Sequence, residues 1–155
     1  YRELINKVRQ QWPDVVLTTD IIVGFPGESN QDFEDTIKLV KDLKFDQVYT
    51  ARYSSRPGTV AATMPDDVPV NIKKEREQKL DKIVRAGSLK NRKQQIGQKV
   101  LVLLEEQRGN CYFGHTDHGL PILVTIQKNE NYTLGSRHFA QTTSARTFSL
   151  AGQLL

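Results

Sequence analysis

Residues 19–28 read TDIIVGFPGE, and this run decides the fold of the first half of the chain. Residues 21–23 are apolar, the stretch breaks at Gly24-Phe25-Pro26-Gly27, and from Ser29 the pattern turns helical. A short apolar segment, glycine punctuation and a helix start together predict a buried strand that delivers a turn to a helix N-terminus. Open α/β sheets bind small ligands at such strand ends. Gly24 and Gly27 have no Cβ, so the backbone there can approach a ligand closely. The same run also serves as a plain strand-to-helix connection, and most such turns bind nothing. A phosphate is the weaker ligand: no lysine follows the glycines, and the Glu28 carboxylate opposes an anion at the helix start.

Working outward, Leu4, Val8 and Trp12 recur every fourth residue and Pro13 follows. This predicts an amphipathic helix over 1–12. Residues 15–23 are almost continuously apolar or β-branched, as in a parallel strand buried on both faces. Ser29 can cap the next helix, with Asp32 at its third position favourable to the dipole. Phe33, Ile37, Val40 and Leu43 form the inner stripe of that helix. Residues 45–53 are a second strand, which makes a right-handed βαβ unit. Ser54-Ser55-Arg56-Pro57-Gly58-Thr59 is a turn, and residues 64–70, with two prolines, an extended connector. Asn71 is expected to cap a long basic helix with Ile72, Leu80, Ile83 and Val84 inward, and Gly87 to mark a kink or an early end.

After residue 96 the period changes. Val100, Val102 and Leu104 alternate with polar or smaller apolar neighbours, and short strands follow near 111–113, 120–126 and 148–154. Their Gly- and Asn-rich turns mark a small all-β module related in style to OB-folds. The fold class is therefore α/β followed by all-β, with a boundary near residue 95. Two parallel strands alone leave both sheet edges open. Residues 1–70 are thus expected to be the last part of a larger α/β barrel or sheet, and the chain a C-terminal fragment. It is expected to fold poorly alone, with 96–155 the more stable part.

Charge is unevenly spread. Residues 1–70 hold 8 basic and 11 acidic side chains, a balance of −3, whereas 71–95 hold 9 and 3, a balance of +6. Residues 96–155 hold 5 and 4, a balance of +1. A basic cluster of this kind meets nucleic acid or simply forms a solvated helix face. No apolar run approaches the ~20 residues that span a bilayer. The lone cysteine, Cys111, excludes an internal disulfide framework and an all-cysteine metal site within the chain, and fits a buried strand position.

The runs TTDIIVGFPGES, QDFEDTIKLVKDLKFDQVYTARYSSRPGTVAATMPDDVP and KKERE resemble the C-terminal part of radical S-adenosylmethionine methylthiotransferases. The likeness spans nearly the whole chain and is strongest over 18–80. Within the family it is closer to the branch that modifies N6-substituted adenosine beside the tRNA anticodon. FDQVYTARYSSRPGT and DDVP resemble the isopentenyladenosine type most, and Arg56-Pro57-Gly58 favours a tRNA enzyme over the ribosomal-protein one. The threonylcarbamoyladenosine type shares much of the pattern.

The resemblance implies roles. Residues 1–70 would supply the last strands and adjoining helices of a partial (β/α)6 radical barrel, 71–95 a basic helix and linker, and 96–155 a TRAM domain, a small β barrel that binds RNA. Gly114-His115-Thr116-Asp117 sits where that domain usually has Gly-Arg-Thr-Glu, so His115 removes a fixed charge. Ser149-Leu150-Ala151-Gly152 resembles its closing strand, and 127–147 match poorly. The implied cofactors are S-adenosylmethionine and two [4Fe–4S] clusters held by cysteines outside this chain, so the fragment alone is expected to be inactive. Ile22, Val23, Gly24 and Phe25 are expected against the adenosine, and Glu28 to order the turn. Arg56 would meet the cofactor carboxylate or an RNA phosphate, or pair with Asp20. Lys73, Lys74 and Arg76, with His115 and Thr116, are the expected RNA contacts. No residue is expected to ligate a metal. A monomer in the cytoplasm acting on tRNA is the implied setting. The competing readings are a ribosomal-protein or threonylcarbamoyladenosine methylthiotransferase, and a non-catalytic RNA-binding module.

Overall fold

The computed structural model of the chain describes residues 1–126 and 131–155; residues 127–130, inside the stretch of poorest family likeness, lie outside the described residues. In order, the elements are α1 (Arg2–Gln11), β1 (Thr18–Val23), α2 (Asn30–Leu43), β2 (Gln47–Arg52), a 3-10 turn (Val60–Thr63) and α3 (Val70–Lys93). Then come β3 (Lys99–Arg108), β4 (Cys111–Thr116), β5 (Pro121–Thr125), β6 (Arg137–Ala145) and β7 (Leu150–Leu154). The chain divides into two compact units, one of Leu17–Gly87 and one of Tyr1–Val16 with Ser88–Leu155. The division falls inside α3.

In the first of these units β1 and β2 are parallel, in register from Thr18 opposite Gln47 to Val23 opposite Arg52. The helix between them starts as expected. Asp32 N donates to Ser29 Oγ at 3.1 Å, and Ser29 N donates to Asp32 Oδ2 at 2.9 Å. That reciprocal pair satisfies two donors that the helix start would otherwise leave open. Phe33, Ile37, Val40 and Leu43 are all buried, and Lys44 ends the helix in the left-handed region at φ 48°.

Three expectations need correction here. β1 is not buried on both faces: Thr18, Asp20 and Ile22 are exposed while Val23 is fully buried, so the strand alternates. Asn71 does not cap α3. The helix begins at Val70, two residues earlier than a cap at Asn71 implies, and Lys73 N donates to Pro69 O at 3.0 Å. A proline suits a helix entry because the amide it lacks would have had no intrahelical acceptor. Nor does α3 end at Gly87; it continues to Lys93, because neighbouring helical residues outweigh the roughly 1 kcal/mol cost of one glycine.

The β strands close into a barrel in the order β3-β4-β5-β7-β6, with β6 returning to β3. All pairs are antiparallel except β5 with β7. Alternate residues point inward, and Val102, Leu104, Tyr112, Leu120, Ile122, Val124, Ala140, Leu150 and Leu154 make the buried core. β3 and β4 approach so closely at Gly114 that a Cβ there would lie 1.8 Å from the carbonyl oxygen of Leu103. Only glycine fits. β6 had no strand signal of its own in sequence, since Thr142, Thr143 and Ser144 break the apolar alternation; Thr142 is nonetheless buried, its hydroxyl hydrogen-bonded to the carbonyls of Gln95 and Gln98.

Candidate functional site

The GFPGE turn at the end of β1 is held from α3 and from the connector before it. Gly24 has φ 70°, a conformation that L side chains seldom adopt, and the space its missing Cβ would fill is taken by the Lys73 stem, 2.3 Å away at Cγ. Gly24 N donates to Glu28 Oε2 at 2.5 Å. The same oxygen accepts from Arg76 Nη1 at 2.6 Å. Arg76 also donates to Glu28 O at 3.0 Å and, through Nη2, to Asn30 Oδ1 at 2.8 Å. The guanidinium fork thus ties the turn to the first turn of α2. Glu28 and Arg76 side chains are only 11% and 7% exposed. A pair this buried is balanced by geometry and hydrogen bonds, and it fails badly if one partner is removed.

The connector supplies a second clamp. Lys73 Nζ donates to Asp66 Oδ1 and Oδ2 at 2.5 and 2.8 Å, and lies 5.0 Å from the Tyr53 ring centroid. Gly27 N donates to Asp67 Oδ1 at 2.8 Å. Tyr53 OH donates to Ala61 O at 2.9 Å, which fixes the 3-10 turn. The Phe25 ring meets the Tyr53 ring edge-on at 5.2 Å. Beside this arrangement a cleft of about 520 Å³ is lined by Thr50, Tyr53, Ser54, Lys73 and Glu77 among others. The Thr50 hydroxyl oxygen is buried there with no hydrogen-bond partner.

The expected contacts fall into two groups. Ile22, 55% exposed, and Phe25 present apolar surface at the strand end. Val23 and Gly24 are buried, and the Gly24 amide is already committed to Glu28. Arg56 is exposed, at the start of a turn in which Thr59 donates back to its carbonyl. Lys73 and Arg76, expected to face phosphate, are instead buried and closed on carboxylates. Lys74 is exposed. On the barrel, His115 Nδ1 lies 2.6 Å from Glu105 Oε2. Thr116 is buried, its Oγ accepting from Leu120 N at 3.1 Å, so it serves the β4–β5 turn. Asn30, Asp66 and Asp67 were missed in sequence. Their signal was the acidic pair in a proline-bounded connector and the asparagine next to the helix cap.

Among the described residues no group of three or more His, Cys, Asp or Glu is arranged to hold a metal ion, and no helix is long and apolar enough to cross a membrane.

Against this geometry the comparisons with known proteins are informative. No family model matches the chain. The tRNA-2-methylthio-N(6)-dimethylallyladenosine synthase of Bacillus cytotoxicus is 39% identical over 158 residues, covering 100% of this chain and 30% of that protein. The synthase of the same name from Geobacillus thermodenitrificans is 41% identical over 157 residues, 99% of this chain and 29% of that protein. The one from Caldicellulosiruptor saccharolyticus is 45% identical over 118 residues, 75% of this chain and 25% of that protein. A solved Streptococcus pneumoniae multidomain protein with nucleic acid binding domains is 18% identical over 41% of this chain and 24% of that one, at a TM-score of 0.32, and carries no argument. The chain belongs to a transferase family, the methylthiotransferases. The relatives it matches in that family are 2-methylthio-adenosine synthases, and the chain spans about 30% of their length.

Proposed function

We propose that this chain is part of a tRNA methylthiotransferase that adds a methylthio group to C2 of an N6-modified adenosine beside the anticodon. The observation that carries the reading is its alignment, end to end at 39–41% identity, with synthases whose names state that product.

In this reading S-adenosylmethionine lies against the end of β1. Ile22 and Phe25 offer the adenosine apolar surface, and Val23 and Gly24 set where that surface stands. The buried Glu28–Arg76 pair keeps the turn from collapsing when no cofactor covers it. Arg56 offers its guanidinium to the cofactor carboxylate or to an RNA phosphate. The radical chemistry is supplied by the cofactor with iron–sulfur clusters. Cluster ligands are thiolates, and Cys111 is the one cysteine here, so those ligands come from outside the chain and the chain alone is inactive. Lys74 on α3 and His115 on the barrel meet the tRNA, while Lys73 and Arg76 act on the turn.

The test is nucleoside analysis by liquid chromatography and mass spectrometry of tRNA from a strain lacking the gene. The 2-methylthio nucleoside should vanish and its N6-modified precursor accumulate, both reversed by the intact gene. A changed threonylcarbamoyladenosine derivative would move the substrate to that branch. Unchanged tRNA with a lighter ribosomal protein would move it to the protein-modifying branch. No change in either would leave an RNA-binding module.

A further inference from the structure

The Phe25 ring is 41% exposed at the end of β1. Its chain neighbours do little to orient it: Gly24 has no side chain, and Pro26 restricts only the Phe25 backbone. An exposed ring that samples several rotamers loses that freedom on meeting a ligand, and the loss weakens binding. A ring already fixed in place avoids the loss. What fixes Phe25 comes from the end of the neighbouring strand.

Tyr53 N donates to Val23 O at 2.8 Å, which seats Tyr53 one step beyond the last register pair, Val23 with Arg52, and level with the GFPGE turn. The two rings meet edge-on, with centroids 5.2 Å apart and planes at 69°. Aromatic pairs favour this arrangement. Tyr53 is itself held at two further points. Its hydroxyl donates to Ala61 O, and the Lys73 ammonium lies 5.0 Å from its ring centroid. Lys73 is 4% exposed and closed on both Asp66 oxygens, which fixes the ammonium in turn. Support therefore passes from Asp66 to Lys73, from Lys73 to Tyr53, and from Tyr53 to Phe25. The hydroxyl bond serves the 3-10 turn and the ring contact serves Phe25, so substitution can separate the two.

We propose that Tyr53 is a positioning residue for cofactor binding: held by Lys73, it fixes the Phe25 ring in the orientation that receives the adenosine. The proposal rests on the reading that the adenosine lies against the end of β1.

The experiment is equilibrium dialysis of radiolabelled S-adenosylhomocysteine, which carries the same adenosine, against the full-length protein with its iron–sulfur clusters in place. Tyr53→Leu should weaken binding about five-fold, the scale of one aromatic pair. Tyr53→Phe keeps the ring and loses only the hydroxyl bond, so it should stay within about two-fold of the parent. Lys73→Met keeps the stem beneath Gly24 and loses the ammonium, and should fall between the parent and Tyr53→Leu. Phe25→Ala should weaken binding at least as much as Tyr53→Leu. Adding Tyr53→Leu to it should weaken binding no further, because a positioning residue acts only through the ring it positions. The proposal is overturned if Tyr53→Leu, folded by circular dichroism, binds as the parent does while Phe25→Ala binds more weakly. It is equally overturned if the two defects multiply in the double variant, or if Tyr53→Phe is as weak as Tyr53→Leu. Should Tyr53→Leu not fold, Tyr53→Met takes its place in the same comparisons. If Phe25→Ala binds as the parent does, the placement of the adenosine on Phe25 itself falls, and the proposal with it.

Discussion

The barrel and the strand–helix–strand unit are stabilised by different physics. The barrel closes on itself, so its strands have no open edge, and its core is a mainly apolar cluster, with the Tyr112 hydroxyl accepting from Tyr132 N and the buried Thr116 and Thr142 hydroxyls hydrogen-bonded to backbone. The other unit has two strands, and side chains such as Ile22 and Tyr49 stand exposed on its sheet. What fixes its GFPGE turn is a set of directional bonds: Arg76 to Glu28 and Asn30, Lys73 to Asp66, Gly27 to Asp67. Burial is forgiving of direction and punishes lost volume. Charged clamps are forgiving of volume and punish a lost partner.

Substitutions can break this contrast. The largest effect is expected from Gly114→Ala, because a Cβ at 1.8 Å from the Leu103 carbonyl oxygen forces β3 and β4 apart. A loss of at least about 3 kcal/mol should appear in urea denaturation followed by tyrosine fluorescence. A loss below ~1 kcal/mol would mean that the barrel wall yields easily.

Arg76→Leu keeps the volume but strands the buried Glu28 carboxylate, at a cost of about 3 kcal/mol. Hydrogen exchange should speed at Gly24 and leave Val102 and Val124 unchanged. Equal acceleration in both units would show that the two are one cooperative body and that the contrast drawn here is false.

Ser29→Ala removes one half of the α2 capping box and should cost about 1 kcal/mol, with faster exchange confined to the first turn of α2. The smallest effect is one of pH. The Asp32 carboxyl is held below its ordinary value, chiefly by the side-chain hydrogen bond from Ser29 and next by the backbone bond to the same residue. A group whose pKa falls on folding stabilises above its unfolded pKa and loses that contribution as pH drops through the folded value. The start of α2 should therefore loosen below about pH 4, as read from the Ser29 amide resonance. Asp32→Asn should abolish that dependence.

Much of this was legible from local pattern. The 3.6-residue stripe of Phe33, Ile37, Val40 and Leu43, the Ser29 cap with Asp32 three residues on, and the strand either side of α2 each depend on neighbours in the chain. So do the alternation of Val100, Val102 and Leu104 and the glycine turn itself. β6 was not legible, because Thr142 is buried through hydrogen bonds to Gln95 and Gln98, more than 40 residues away. The start of α3 was misjudged by two residues, because Pro69 and Asn71 both resemble helix entries.

The sequence by itself determined most of the elements, β6 excepted, together with the glycine turn, the basic run and the family likeness, since each is written in residue type and short spacing. Only the tertiary structure decided what the basic residues do. Lys73, Lys74 and Arg76 are three cations within four residues of sequence, with Glu75 between them. Folding places Lys73 and Arg76 three residues apart on the buried side of α3, against Asp66 and Glu28, and leaves Lys74 in solvent. Helical phase sets the direction of each side chain, and carboxylates from distant segments set its partner.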